Sequence, residues 1–306
     1  MSKVLYGNNN IGSFLTVPEL AQLLHVNEKK IYKLAGEGDI PGTKITGKWI
    51  FPRHLIEDWV AENSHGGAMA DRLIIAGSDD RLINQICNNT AIEHQNSALL
   101  SYSPCGTRHG LRMLDSRRAD ACFINWGATD PSARRHLGLL RGYKNFGSWV
   151  VVRCLQRTQG LILSRELGNT SRAVENLLSD NSLRWARRNT DSGAERLLED
   201  LCASTGLLYR DLSHASVNNT ERSAVAAVST GEADLTCGTQ STAHEFQLPF
   251  LPVAEVSLDM VMTRRTYFRT ITQALLTSLI SDKSLSTAKQ MQGYSLMSSL
   301  DVLAID

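Results

Sequence analysis

From Asp71 onward, short apolar runs alternate with segments of helical spacing, and this alternation constrains the fold more than any other feature of the chain. Arg72-Leu-Ile-Ile-Ala-Gly77 reads as a buried strand, and Asp80 to Asn88 as a helix with Leu82, Ile83 and Ile86 inward. Ala98 to Tyr102 is a second strand, about Thr107 to Ser116 a helix, and Asp120 to Ile124 a third strand. The rhythm resumes with strands at Gly160 to Leu163, Ala233 to Cys237 and Val256 to Met262, and a strand edge at Trp185 to Arg188. Helices are expected at Arg172 to Leu178, Ala194 to Ser204, Arg222 to Thr230 and Thr270 to Ile280. Such a pattern predicts a mostly parallel sheet covered by helices. Ser116-Arg-Arg-Ala-Asp-Ala-Cys122 and Thr230-Gly-Glu-Ala-Asp-Leu-Thr236 both set a polar turn and Ala-Asp before a strand, an echo that two similar α/β lobes would produce.

The first part of the chain reads differently. Residues 13–62 form a compact unit, and the small, polar stretch Asn63 to Ala70 reads as a linker. Thr16 caps a helix with Glu19 three residues on and Pro18 in the first turn. Leu20, Ala21, Leu23 and Leu24 supply its buried face. Asn27 caps a second helix, Glu28 to Gly36, with Ile31, Leu34 and Ala35 inward and Lys29, Lys30, Tyr32 and Lys33 outward. Pro41 to Phe51 reads as a hairpin turning at Thr46-Gly47, and Leu55 to Val60 as a closing helix.

Two helices joined by a tight turn and followed by a hairpin make a winged helix-turn-helix plan, in which the second helix enters the major groove of duplex DNA. Charge agrees locally: residues 29–53 carry six basic side chains (Lys29, Lys30, Lys33, Lys44, Lys48 and Arg53) against Glu37 and Asp39, a net of +4. The whole chain of 306 residues has a formal charge of only +1, so any DNA-binding surface must be confined to this segment. A solvated lysine face on a protein-binding scaffold is the competing reading.

Leu15-Thr-Val-Pro-Glu-Leu-Ala-Gln-Leu-Leu-His-Val-Asn-Glu-Lys-Lys-Ile-Tyr-Lys-Leu34, with Ile40-Pro-Gly and Lys48-Trp-Ile-Phe-Pro-Arg53, resembles the excisionase-like, MerR-related winged helix-turn-helix family. The resemblance implies DNA contacts by Lys29, Lys30, Tyr32 and Lys33 on the recognition helix, and by Lys44, Lys48 and Arg53 on the wing.

Residues 71–306 resemble the two-lobed, type II periplasmic-binding-protein-like sensor domains related to molybdate-binding proteins, which follow such DNA-binding units in bacterial regulators. The matching segments are Ile75-Ala-Gly-Ser-Asp-Asp80, Ser103-Pro-Cys-Gly-Thr107, Gly160-Leu-Ile-Leu163, Asn189-Thr-Asp-Ser-Gly193 and Ser229-Thr-Gly-Glu-Ala-Asp-Leu235. The resemblance implies an α+β DNA-binding domain followed by an α/β receptor. Lobe 1 is expected at about 71–157 and 258–306, and lobe 2 at about 158–257.

Several of the matching segments are strand-to-helix turns, where free backbone N–H groups and the helix dipole hold anions. Ser78, Ser103, Cys105, Gly106 and Thr107 would approach a ligand from one lobe, and Ser192 and Gly193 from the other. Ser257 stands before Leu258-Asp259 where the family often has Tyr. Each serine alone is ordinarily a helix cap. Molybdate or tungstate is the ligand that the resemblance suggests. Asp191 and Glu195, where the family has neutral residues and Arg, bring negative charge close to it. A different small anion, a zwitterion or a degenerate pocket that binds nothing are the alternatives.

No Gly-x-Ser-x-Gly elbow, P-loop, His-Glu-x-x-His or Gly-x-Gly-x-x-Gly occurs, so an enzyme is not expected. His54, His65, His94 and His136 sit in polar, surface-like contexts, and Arg187-Arg188 reads as solvated or salt-bridged. The six cysteines lack zinc-ligand spacing and suit reduced thiols in a cytoplasmic protein. No apolar run approaches the ~20 residues of a membrane helix, and Met1 to Gly12 lacks the apolar core of a secretory signal. No cofactor is called for. A homodimer is expected, because one small winged helix offers few base contacts. The apolar face at Leu275, Leu276 and Leu279 is either its interface or ordinary core.

Overall fold

A computed structural model describes residues 14–63, 71–129, 132–168, 172–296 and 300–303. Met1 to Gly12 and linker positions 64–70, with His65, lie outside the described residues. The chain divides into two compact units, Met1–Ala70 and Asp71–Asp306.

The first unit begins with β1 (Phe14–Thr16), α1 (Val17–Leu23) and α2 (Glu28–Glu37). It continues through β2 (Thr43–Ile45), β3 (Lys48–Pro52) and α3 (Arg53–Asn63), with the strands in the order β1-β3-β2. Local chemistry sets the boundaries. Glu19 accepts from both the backbone and the hydroxyl of Thr16 at 2.7 Å, starting α1. Asn27 Oδ1 accepts from Lys30 N at 2.8 Å, starting α2, and Gly38 ends it in the left-handed conformation. Thr46 and Gly47 both have positive φ, as the tightest hairpin turns require. Leu20, Ile31, Phe51 and Ile56 form a fully buried centre. Leu23, expected in that core, is instead 42% exposed, because Val17, Leu20 and Ala21 already fill the inward face of a helix only two turns long.

The second unit opens with β4 (Asp71–Gly77), α4 (Arg81–Glu93), β5 (Ala98–Pro104), α5 (Thr107–Asp115), β6 (Ala121–Ile124) and α6 (Ser132–Leu140). The long β7 (Trp149–Leu163) leads to α7 (Arg165–Gly168), α8 (Val174–Ser179), β8 (Trp185–Arg188), α9 (Gly193–Thr205) and β9 (His214–Asn218). Then come α10 (Glu221–Ser229), β10 (Leu235–Thr239), α11 (Gln240–Glu245) and the long β11 (Phe250–Thr263). The unit closes with α12 (Arg264–Tyr267), α13 (Thr270–Leu279), α14 (Asp282–Gln290), β12 (Tyr294–Ser295) and β13 (Val302–Leu303).

The strand order is β5-β4-β6-β11-β7-β10-β8-β9, with β12 and β13 also on β7. The outer pairings β4–β5, β4–β6, β8–β10 and β8–β9 are parallel, as alternating strands and helices demand. The middle departs from the expected mostly parallel sheet: β6–β11, β7–β11 and β7–β10 are antiparallel. One chain passing out of the first lobe along β7 and back along β11 must pair with itself in opposite directions. Val150–Val152 face Met260–Met262 at one end, and Leu161 and Ile162 face Leu251 and Phe250 at the other. Trp185 to Arg188, read as a strand edge, is an interior strand.

Separate apolar cores flank these two strands. One gathers Leu73, Ile75, Phe123, Leu258 and Met260 under α4 and α13; the other gathers Leu161, Trp185, Leu197 and Leu235 under α9. Leu275, Leu276 and Leu279 are buried in the first core, so that face is packed within the lobe. The sequence echo has a geometric counterpart. Asp120 accepts from Ile74 N at 2.9 Å while its own N–H donates to Ile74 O at 2.8 Å. Asp234 makes the same reciprocal pair with Arg184, at 2.7 and 2.8 Å. In each lobe the aspartate fastens the turn before a strand to the neighbouring strand.

Candidate functional site

Two regions hold the candidate side chains, one in each unit. In the first, Lys29, Lys30, Tyr32 and Lys33 are all exposed on α2, on the side away from buried Ile31 and Ala35. Tyr32 is 53% exposed, and Lys33 is 4.0 Å from Glu37. In the hairpin, Lys44 stands opposite Trp49 and Lys48 opposite Ile45. Directly paired residues share a face, so the two exposed lysines lie on opposite faces of the wing. Arg53 differs from these: it is half-buried at the start of α3, 3.9 Å from Glu57.

In the second unit the two lobes meet at a slot around Ser78, Asp79, Gly106, Arg157, Gln159, Arg188, Ser192, Gly193 and Glu221. Its free space is about 10 Å³, no more than one water molecule needs. The turns expected to supply donors do converge here, but the Ser78 and Thr107 hydroxyls are engaged. Ser78 Oγ and Thr107 Oγ1 are 2.7 Å apart, and Thr107 Oγ1 also donates to Asn125 O at 2.9 Å. Ser192 Oγ accepts from Glu195 N at 3.1 Å as the cap of α9. Gly106 is the cap residue of α5, at φ 89°. A Cβ on Gly193 would fall 2.5 Å from Asn125 O, so only glycine lets α9 start this close to β6. Cys105 is half-buried beside Gly106. Ser103 and Ser257 are not among the residues around the slot: Ser103 is exposed on β5, and Ser257 is fully buried on β11, 3.5 Å from Thr129.

Of the charges here, Arg188 is salt-bridged, one of the two readings the sequence offers, whereas Arg157 has no reading in the sequence. Arg157 donates to Asp80 Oδ2 at 2.6 Å and to Asp79 O at 3.0 Å. Burial works against its charge, but Asp80, Glu221 and Tyr294 outweigh it and raise its pKa. Arg188 donates to Asn219 O at 3.1 Å and lies 3.8 Å from Asp79, and burial lowers its pKa. Asp79 accepts from Glu221 N at 2.8 Å, a contact between lobes at the first turn of α10. Burial pushes Asp80 up, against the pull of Arg157. Glu221 accepts from the N–H of Thr239 at 3.0 Å and is also bonded by its hydroxyl. Burial disfavours the Glu221 charge, but Arg157, Arg188 and the Thr239 and Thr242 hydroxyls hold its pKa low. Arg157 is missed because only Gly160 to Leu163 of β7 reads as a strand from the sequence. The polar run Gln156-Arg-Thr-Gln159 gives no local strand signal.

The acidic residues that threatened an anion are turned to other work. Asp191 pairs with Arg112 across the lobes at 2.5 Å. Glu195 accepts from Arg187 at 2.7 Å, from Arg188 N at 2.8 Å and from Tyr209, and burial raises its pKa to about 7. His136, expected at the surface, is fully buried. Its Nδ1 donates to Asp259 at 2.6 Å and its Nε2 accepts from Trp126 N at 3.0 Å. Arg153 completes that cluster on the other Asp259 oxygen. The reason is tertiary: Asp259 is 123 residues away and offers a buried charge that needs a donor.

Beside the slot, a polar cavity of about 420 Å³ opens between α4 and α10, lined by Asn84, Gln85, Asn88, Arg222 and Thr242. Among the described residues no group of three or more His, Cys, Asp or Glu could hold a metal ion. No helix among them is long and apolar enough to cross a membrane.

Comparison with known proteins follows this division. Residues 14–64 match a helix-turn-helix domain, and residues 89–279 match the PBP superfamily domain. Both families are binding families and neither is enzymatic. No curated protein matches the chain significantly. Solved structures resemble it in fold at low identity. The tungstate ABC transporter protein of Geobacter sulfurreducens is 12% identical, with a TM-score of 0.52 over 72% of this chain and 100% of that one. A phosphate ABC transporter substrate-binding protein with bound phosphate from Clostridium perfringens is 8% identical, with a TM-score of 0.52 over 73% and 98%. The effector-binding domain of QuiR in complex with shikimate is 10% identical, with a TM-score of 0.50 over 72% and 99%. The chain belongs to the PBP superfamily, and it carries a helix-turn-helix domain ahead of its two-lobed α/β receptor fold.

Proposed function

We propose that this protein is a cytoplasmic, ligand-responsive transcriptional regulator. The first unit binds duplex DNA, and the second holds a small polar effector between its lobes. The observation that carries the reading is the interlobe slot, where Arg157, Arg188 and Gln159 are all buried although two of them are cations. A protein that only needed a stable fold would place apolar side chains there. Effector binding would bias the arrangement of the lobes about β7 and β11. A homodimer would double the few base contacts of one winged helix.

The DNA contacts are assigned to Lys29, Lys30, Tyr32 and Lys33 on α2 and to Lys44 and Lys48 on the wing, with Arg53 at its base. In the full-length protein, Lys33→Ala and Lys48→Ala are each expected to weaken DNA binding and flatten its salt dependence by about one unit. Salt slopes unchanged in both variants would overturn the DNA interface. Light scattering with and without DNA tests the dimer, and a monomer in both conditions would refute it.

A second reading names the effector as a small oxyanion, molybdate or tungstate. It is favoured by the N-terminus of α9, a helix of 13 residues whose first turn borders the slot. Ser78, Gly106, Ser192 and Gly193 surround that position, Thr107 stands behind Ser78, and Ser103, Cys105 and Ser257 are not among the lining residues. Tungstate, phosphate and shikimate are named with the structural neighbours, so the shared fold does not select among ligand classes.

A further inference from the structure

We propose that the effector of the slot is a small zwitterion of the amino-acid type, bearing an anionic acceptor group and an N–H donor group, and not an acceptor-only oxyanion. This inference rests on the receptor reading above and specifies its ligand. It comes from a balance of unmet hydrogen bonds. Four buried donors have no partner among the described residues: Asn125 Nδ2, Gln159 Nε2, Arg157 Nε and Arg188 Nε. Three buried acceptors are equally unmet: Asn125 Oδ1, Gln159 Oε1 and Asn189 Oδ1. Asn125 and Gln159 are 0% exposed, and Arg157 and Arg188 only 3% and 4%.

These groups are gathered at one place. Gln159, Arg157 and Arg188 border the slot. The Asn125 amide carbon lies 2.7 Å from where a Cβ on Gly193 would be, and Asn189 Oδ1 lies 3.1 Å from the same point on Gly106. Native folds leave few buried polar atoms unpaired, because each costs about 1–3 kcal/mol, so such a concentration marks a recognition surface.

A deprotonated oxyanion brings acceptors alone. It would meet donors at the slot but leave the Gln159 carbonyl oxygen there, and the Asn125 and Asn189 oxygens beside Gly193 and Gly106, without a donor. Flipping either amide exchanges its atoms but cannot remove the oxygen. The charges point the same way. The two arginines face three carboxylates, Asp79, Asp80 and Glu221, for a net of −1 when all are ionised. A dianion adds to that excess in a water-poor slot, whereas a zwitterion adds nothing. Its carboxylate fits Arg188 Nε and the first turn of α9, and its ammonium fits Asp79 and the amide oxygens. With about 10 Å³ free, binding requires the lobes to part along β7 and β11.

The test is thermal stability of the full-length protein with each of the common α-amino acids at millimolar concentration, beside molybdate, tungstate, phosphate, shikimate and benzoate. At least one amino acid is expected to raise Tm. Its N-acetyl and methyl-ester derivatives, each lacking one charge, are expected to bind about tenfold more weakly or worse. Gln159→Met, and separately Asn189→Ala, should weaken the amino acid by a similar factor. If only an oxyanion or a simple carboxylate binds, or if the N-acetyl derivative binds as well as its parent, the zwitterion is refuted and the receptor reading survives. If nothing in the panel shifts Tm, both fall.

Discussion

Replacing Gln159 with Met is expected to make the effector-free receptor more stable. Gln159 lies in the middle of β7, paired with Thr239 of β10 and Ala254 of β11, and it is 0% exposed. Both polar atoms of its amide lack a partner among the described residues. Each unmet atom costs about 1–3 kcal/mol, and an apolar side chain of similar shape removes that penalty. Taking the low end for both atoms, and allowing about 1.5 kcal/mol at most for re-packing an unbranched thioether, the net gain is about 0.5–2 kcal/mol. For a unit of this size a gain of that order raises Tm by about 1–8 °C. Calorimetry and urea titration of wild type and variant, without effector, would measure it. The same variant should lose its effector response. A fall in Tm of more than about 2 °C would mean that the amide is satisfied in the folded protein, which would refute its reservation for a ligand.

Other substitutions probe other links. Asp259→Asn removes the charge shared by Arg153 and His136 and leaves a buried guanidinium uncompensated, so unfolding free energy from urea titration should fall by about 3–5 kcal/mol. A loss below about 1 kcal/mol would contradict that account. Glu195 has a folded pKa raised to about 7 from 4.5, so the native state holds its proton longer than the unfolded chain. Stability should therefore decline as pH rises through that window, and Glu195→Gln should flatten the decline in a series of denaturant titrations. Asn27→Ala removes the cap of α2 and should cost the first unit about 1 kcal/mol by thermal melting, without altering the receptor transition.

Much of this protein is written in neighbouring residues. Thr16 with Glu19, Asn27 with Lys30, and Thr46-Gly47 set the helix starts and the hairpin over spans of three or four residues, which is why the winged helix-turn-helix could be read directly. The alternation after Asp71 announced an α/β fold for the same reason, period and propensity being local, while two lobes were suggested by the Ala-Asp echo and the family resemblance. The helix-start turns around Gly106 and Ser192 were legible as turns, and Ser192 as a cap, but not the commitment of the Ser78 and Thr107 hydroxyls to partners inside the protein.

Tertiary structure decided the rest, because it joins residues whose separation carries no local signal. His136 looked like a surface residue until Asp259, 123 positions on, gave its ring a buried partner. Arg157 drew no reading from its neighbours in sequence; its place is set by Asp80, 77 positions earlier, which compensates it inside the protein. The antiparallel centre of the sheet arises from β7 and β11, which pair from Trp149–Thr263 to Ile162–Phe250 and bind both lobes into one unit. A buried charge or an unmet amide is unfavourable alone and tolerable only beside its complement. Which complement a residue meets depends on how distant segments cross, so composition and spacing could foretell the lobes but not the polar surface between them.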